Sequence, residues 1–454
     1  MKKLFISIIV LTSSLCASAG GLMTNTNYHI AFDRMFARGA TTEIDAAYSN
    51  PAGLVWGHEG WQMSLNFQKP WQRRNVETQI DNFLGEPFDK EYIGKASAPI
   101  VPAFFASYHK DKWAVSTMIG IVGSGGFVEY EEGVPMFNVP ITALLASKQI
   151  MPGSYTLDSQ MKGKQYIYGG QVNFAYKFID CLSASVGFRA NYYDGYYKGH
   201  VLVTPGAQLS QVVGTDPLVN LQLDCIQRGW GFAPIIGVNY HKNALTVAMR
   251  YEFRTKLNTK NDTKTLSADV KGMTPQEVQI LLGDKFAGYL DGAETRYDMP
   301  SLFVAAVGYE FTPRIRGAVE YHYYDDKHAK MGGDRQKTLS HGTHEVLAGV
   351  EYDINKKFTV SLGGQRTDYG LTDEYQQNTS FACDSYSIGC GGAWNVNEKI
   401  RLNFSYFCSL YSDYNKSYTS TQSGGTGYYG TPYGAKETYS RTNHVIGVGI
   451  DYKF

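Results

Sequence analysis

The chain has 454 residues with 42 basic and 42 acidic side chains, and its formal net charge of +0 offers no field for nucleic acid or another polyanion. Aromatics reach 14%, with 34 tyrosines and 48 glycines, yet mean hydropathy is only -0.28. Strands with one apolar and one polar face average out this way. Past the N-terminal segment, no apolar run approaches the ~18 residues of a spanning helix.

Met1-Lys-Lys, an apolar stretch from Leu4 to Leu11, and Ala17-Ser18-Ala19 before Gly20 read as a signal peptide over 1–19. The bulky Leu15 before Cys16 argues against lipidation there. One of the six cysteines falls in this signal, which leaves an odd number. Cys383 and Cys390 take opposite parity on one expected strand, so no disulfide framework and no zinc spacing emerges.

Residues 20–56 do not alternate. Phe32, Met35 and Phe36 stand at helical spacing, and Gly39, Gly53 and the Asn50-Pro51 step break the segment into short pieces. It is richer in apolar residues than a disordered tail. Two readings stay open: a plug folded inside a lumen, or a periplasmic lead-in.

Residues 57–454 resolve into alternating segments. Trp61, Met63, Leu65 and Phe67 share one face, and Trp113, Val115, Thr117, Ile119 and Ile121 share another. Short turns at His109–Lys112, Ile179–Cys181, His241–Asn243, Phe311–Arg314, Asp353–Lys356 and Asn395–Glu398 mark one end. Long polar stretches at 70–97, 128–163, 205–219, 258–296, 327–340, 370–380 and 413–437 mark the other. That asymmetry predicts an all-β, transmembrane antiparallel barrel of about 14 strands, with short turns toward the periplasm and both termini there. Within the long stretches, Thr274-Pro275-Gln276-Glu277 is a capping box ahead of Val278, Leu281, Leu282 and Phe286, and Ile141–Ile150 is a second helix candidate.

The chain closes with Ile446, Val448, Ile450, Tyr452 and Phe454 on one face of a last strand. An apolar edge invites aggregation in water, but a barrel's last strand pairs with its first and faces lipid. A bacterial outer membrane is therefore the expected location. Barrel-assembly machinery reading the strand that ends at Phe454, and the surrounding lipid, are expected partners.

The run Arg38-Gly-Ala-Thr-Thr-Glu-Ile-Asp-Ala-Ala-Tyr-Ser-Asn-Pro-Ala-Gly-Leu54 resembles the hatch of the FadL family of long-chain fatty-acid transporters. The shared features are a Gly-Ala start at Gly39, an Asp-Ala step at Asp45, and Asn50-Pro51-Ala52 directly before the first strand. The resemblance implies a hatch over 20–56 with those five residues in gating, and passive import of long-chain fatty acids or other hydrophobic molecules without cofactor. It implies lateral release through a gap made by an inward kink of the third strand. Here that strand runs into Gly120, Gly123, Gly125 and Gly126, which suit either a bulge or simply the opening of the next loop. Phe32, Met35 and Phe36 are the hatch's candidates for the alkyl chain.

Strand parity sends Arg189, Arg250, Arg254 and Arg401 inward. Either one of them clamps a ligand carboxylate, or they pair with Glu252, Glu320, Glu345 or hatch acids such as Asp45. His341 and His344 lack a further ligand at a useful offset, so no metal is expected. No nucleophile elbow or Ser-His-Asp set is legible, so no enzyme is expected. The alternative function is a surface receptor, for instance for haem, carried by Tyr414, Tyr418, Tyr428, Tyr429 and Tyr433 of the last long loop.

Overall fold

The computed structural model describes Met23 and residues 28–98, 100–282 and 287–454. The proposed signal peptide, the start of the 20–56 segment and Phe286 lie outside them.

Alternation of apolar and polar residues makes the wall. Its first strands are β1 (Gly60–Phe83), β2 (Glu86–Ser97), β3 (Val101–Lys110), β4 (Trp113–Tyr130), β5 (Tyr155–Ile179) and β6 (Leu182–Pro205). They continue as β7 (Val219–Lys242), β8 (Leu245–Glu252), β9 (Asn258–Val270), β10 (Glu294–Arg296), β11 (Leu302–Thr312) and β12 (Ile315–Tyr324). The last are β13 (Thr343–Asp353), β14 (Phe358–Asp368), β15 (Ser385–Asn395), β16 (Ile400–Tyr411), β17 (Tyr414–Tyr418) and β18 (Ala435–Lys453). Every pairing is antiparallel, and the segments form one closed 14-strand barrel in which β2 with β3, β8 with β9, β10 with β11, and β16 with β17 are each two pieces of one wall strand. Closure is by β1 on β18, from Gln62 opposite Lys453 to Gln79 opposite Lys436. Phe454 donates its backbone N–H to the Trp61 carbonyl at 3.0 Å, so the ladder reaches the last residue.

The outer face of the lower wall is apolar, as parity predicts. On β1, Met63, Leu65 and Phe67 are exposed while Ser64, Asn66 and Gln68 are buried in the lumen. On β18, Ile446, Val448 and Ile450 face out and Val445 faces in. Among the described residues no helix is long and apolar enough to cross a membrane.

Three long stretches differ from the expectation of loops. Residues 70–97 are mostly strand: β1 runs on to Phe83, turns at Leu84-Gly85 and returns as β2. The stretches 128–163 and 258–296 likewise carry strand, in the end of β4, the start of β5 and β9, whereas 205–219 is loop and α4 between the ends of β6 and β7. Both faces of a strand that rises above the lipid meet water, so the alternation that reveals the lower wall fades.

Inside the lumen lie α1 (Ile30–Met35), α2 (Ala46–Ser49) and a 3-10 turn over Pro51–Trp56. Over the outer end sit α3 (Pro135–Ser147), α4 (Ala207–Val213) and α5 (Pro275–Leu282). The α5 capping box forms: the Thr274 N–H donates to Glu277 Oε2 at 2.8 Å and the Glu277 N–H to Thr274 Oγ1 at 3.3 Å. The second helix starts earlier than Ile141, on Pro135, a residue suited to the first turn. Cys383 precedes β15 instead of sharing it with Cys390, and its thiol donates to the Tyr439 carbonyl at 3.4 Å.

Candidate functional site: the lumenal N-terminal segment, its wall contacts and the gap in the wall ladder

α1 is anchored at its start by His29. The Ala31 N–H donates to its Nδ1 at 3.1 Å, and its Nε2 meets Asp451 Oδ1 at 3.0 Å on β18. Phe32 and Phe36 meet edge-to-face, 5.3 Å between centroids, and pack with Leu347, Phe407 and Val445 of the wall. Phe32, Met35 and Phe36 therefore pack on the wall, none more than 4% exposed. The approach is close enough to demand glycine on the wall. A Cβ at Gly349 or Gly363 would come within 2.0 or 2.1 Å of the Met35 carbonyl oxygen.

Charges fasten the inner side of the hatch. Arg34 bonds Glu351 and Ser361. Arg38 donates from Nε to Asp45 at 2.7 Å and from Nη2 to Glu43 at 2.6 Å. Arg316 of β12 donates to Glu351 at 2.8 Å, and Arg401 of β16 to Glu43 Oε1 at 2.6 Å. Gly39 donates its N–H to Glu320 Oε2 at 2.7 Å, and Glu320 meets His322, which meets Glu345. A cavity of about 710 Å³ opens below this network among the short turns, lined by Arg38, Glu43, Arg316, Glu351, Asp353 and Arg401.

The Asn-Pro-Ala step is a local device with a wall contact. Asn50 caps the 3-10 turn, accepting from the Ala52 N–H at 3.3 Å, while its Nδ2 donates to the Val238 carbonyl at 3.0 Å. Pro51 supplies the fixed φ of a first helical position. Ser183 donates to the Ala52 carbonyl at 2.7 Å. One turn earlier, the Tyr48 ring lies between Arg189 and Arg250, 5.5 and 5.2 Å from its centroid.

The structure thus joins Gly39, Asp45, Asn50, Pro51 and Ala52 in one body on the wall. It distributes the four inward arginines among existing partners: Arg189 to Glu252, Arg250 to the Tyr48 carbonyl at 2.7 Å, Arg401 to Glu43, and Arg254, past the end of β8, to Asp325 at 3.3 Å. Arg34, Arg38, Glu43, Tyr48 and Glu351 were not singled out by sequence. The dense charge of 33–45 in an otherwise apolar segment was the available signal.

The glycine run lies where the wall is interrupted. β3 pairs β4 up to Ala103 opposite Gly120, and β2 resumes at Ser97 opposite Phe127. Residues 121–126 have no ladder partner on that side among the described residues. On the other side, the β4–β5 register slips between Ile121 and Gly123 and again between Ser124 and Gly126. Alternation fails here too: Ile121, Val122 and Gly123 are all buried, and Val122 joins the cluster that holds Tyr28, Ile44 and Tyr48 of the hatch. At this gap Val122 of β4 packs against the 28–56 segment.

Near the mouth, Glu437 of β18 accepts from Tyr428 at 2.5 Å, Tyr418 at 3.0 Å, Asn378 at 2.6 Å and Tyr439. Tyr428 and Tyr439 are buried and Tyr418 is half-buried over them, so these hydroxyls point to Glu437. The His341 and His344 rings stand 5.0 Å apart, and no metal-holding cluster of three occurs among the described residues.

No family model and no curated protein matches the sequence. Solved structures do match: a Pseudomonas aeruginosa FadL homologue superimposes with TM-score 0.66 at 12% identity, covering 96% of this chain and 100% of that one. The fold is that of FadL. The Pseudomonas putida toluene transporter TodX shares the FadL fold at TM-score 0.58 and 11% identity, over 91% of this chain and 95% of that one. The Ralstonia pickettii toluene transporter TbuX follows at 0.50 and 12%, over 90% and 94%.

Proposed function

We propose that this FadL-fold barrel is a non-enzymatic outer-membrane importer of hydrophobic and amphipathic molecules, long-chain fatty acids among them. In this reading the signal over 1–19 is cleaved, the hatch spans 20–56, and the barrel spans 57–454. The observation that carries it is the wall interruption at 121–126 set directly against the hatch. Two fold neighbours, TodX and TbuX, are toluene transporters, which supports a hydrophobic cargo.

Energetics favour a sideways exit. Each CH₂ carried from apolar surroundings into water costs about 0.8 kcal/mol. Descent through the charged cavity below the hatch imposes that cost along the whole alkyl chain, and release into the bilayer through the gap beside β4 does not. A shift of the hatch carrying Gly39, Asp45, Asn50, Pro51 and Ala52 then opens the gap, with Gly120, Gly123, Gly125 and Gly126 permitting the bend.

The test is a hatch lock. A Cβ at Gly237 would lie 2.5 Å from Asn50 Oδ1, so Asn50→Cys with Gly237→Cys brings two thiols together. Oxidised, the variant is expected to stop oleate uptake by cells, and reductant is expected to restore it. Uptake undiminished by a formed cross-link would sink the gating. A deletion strain taking up both oleate and toluene at the parental rate would sink the import reading itself.

A further inference from the structure

β1 and β4 both lose a ladder partner where β2 gives way to β3. β1 pairs β3 up to Gln68 opposite Val101 and pairs β2 from Trp71 opposite Ser97, so Lys69 and Pro70 have no ladder partner on that side among the described residues. On the β4 side lies the gap at 121–126. Strand parity sets Lys69 on the outer face: it is exposed, as Leu65, Phe67 and Trp71 are, while Gln68 is buried in the lumen. Its register partner across the closing seam is the exposed Ile446 of β18. A cation thus stands in the apolar outer band, at the rim of the gap.

Such a position is costly. A charge facing lipid loses its hydration, and a lysine there must reach a polar partner with its long stem. The next outward residue, Trp71, stacks on His444 with 5.5 Å between centroids, an aromatic pair of the interfacial kind about 7 Å further along the strand. The Lys69 ammonium turns to the gap instead, donating to the Ala98 carbonyl at 3.0 Å. No carboxylate pairs with it among the described residues. Beside it the apolar lining is continuous. Val122 of β4 and Phe105 of β3 belong to the cluster that packs the 28–56 segment, Val101 is partly buried against that cluster, and the adjoining Ile100 is 56% exposed.

From this we infer that Lys69 is an exit-side anchor for acidic cargo, holding the carboxylate of an amphipathic ligand at the outer rim of the gap while the apolar body passes over Val101 and Ile100 into the bilayer. The inference rests on the sideways release of the proposed function and adds a charged step to it. A carboxylate drawn through an apolar gap leaves its water behind, and a charge-assisted hydrogen bond from the ammonium replaces part of that loss. Lysine suits a transient hold, because its flexible stem can swing the ammonium from the Ala98 carbonyl to a ligand and back. The step separates an acid from a neutral molecule of the same shape during release, after binding inside the barrel.

The experiment follows uptake of oleate and of oleyl alcohol by cells carrying the full-length protein, beside binding of both to the purified barrel. Lys69→Met keeps the stem and removes the charge. Its oleate uptake is expected to fall about tenfold, with alcohol uptake and both affinities within about twofold of wild type. Lys69→Arg is expected to keep most of the oleate rate. Unchanged oleate uptake in Lys69→Met would overturn the anchor and leave the import reading standing. An equal fall for both ligands would also overturn it, as the mark of a lysine that only braces the Ala98 carbonyl. So would a loss of oleate affinity as large as the loss of uptake, which places the charge before the exit. Wild type no better than a deletion strain with either ligand would sink the import reading as well.

Discussion

The two ends of the lumen use charge in opposite ways. Toward the short turns, Arg34, Arg38, Arg316 and Arg401 meet Glu43, Asp45, Glu351 and Asp353, and two of the pairs, Arg34 with Glu351 and Arg401 with Glu43, tie the N-terminal segment to the wall. Toward the mouth, the Glu437 carboxylate is held by hydroxyl and amide donors, and Arg441 stands over the Tyr411 ring. A buried charge met by its opposite is a fastening. One surrounded by neutral dipoles is held by hydrogen bonds alone. The same residue types therefore build an ion-pair network at one end and a hydroxyl-rich hydrogen-bond cluster at the other.

The sharpest way to break the contrast is Glu351→Ala. It removes the carboxylate facing Arg34, Arg38 and Arg316, and stranding buried charges costs about 3–5 kcal/mol. The hatch is expected to come loose while the barrel stays closed, read as proteolysis within 30–56 under conditions where wild type resists. A hatch equally protected would show that apolar packing, not charge, holds it. Glu437→Gln probes the other end. Three tyrosines and Asn378 lose their common anion, at about 2 kcal/mol, and hydrogen exchange is expected to quicken in 418–433 but not in the hatch.

A pH scan sharpens the contrast with a smaller effect. Asp326, in the outer loop after β12, has its carboxyl pushed up to about 7, chiefly by burial. The folded loop thus holds its proton more tightly than the unfolded chain, whose aspartate titrates near 3.9. That stabilisation is complete below about pH 4 and is lost as pH rises through 7. Proteolysis of 325–340 is expected to accelerate between pH 5 and 8 in wild type and to stay flat in Asp326→Asn. A flat wild-type profile would refute the assignment. Smallest is Thr274→Ala, which deletes the exposed capping box of α5 at about 1 kcal/mol. It should fray α5 in hydrogen exchange and leave oleate binding intact, and altered binding would give that helix a part in the site.

Legibility followed the solvent. Where one strand face meets lipid and the other a wet lumen, as over Met63–Gln68 or Val445–Ile450, period-two alternation reports strand and facing together. Above the lipid the two faces meet the same water, and the β1–β2 hairpin over 70–97 looked like loop. Parity also chose correctly which way Arg189 and Arg401 point. It had no means of choosing their partners, because Glu252 adjoins Arg189 through β7 and β8 while Glu43 reaches Arg401 from the hatch. For the hatch, Asn50-Pro51 announced a capped turn, but nothing linear linked Arg34 to Glu351, which lie far apart in the chain.

By itself the order of residues determined a closed barrel, its facing and a capped N-terminal segment, since each depends on neighbours a few positions away and on the medium each face meets. Which charges meet, where the ladder beside β4 is interrupted, and which arginines stand beside aromatic rings were decided only when the cylinder closed. Closure sets β1 against β18 and folds the hatch among strands distant in sequence, and electrostatic matching depends on distance in space.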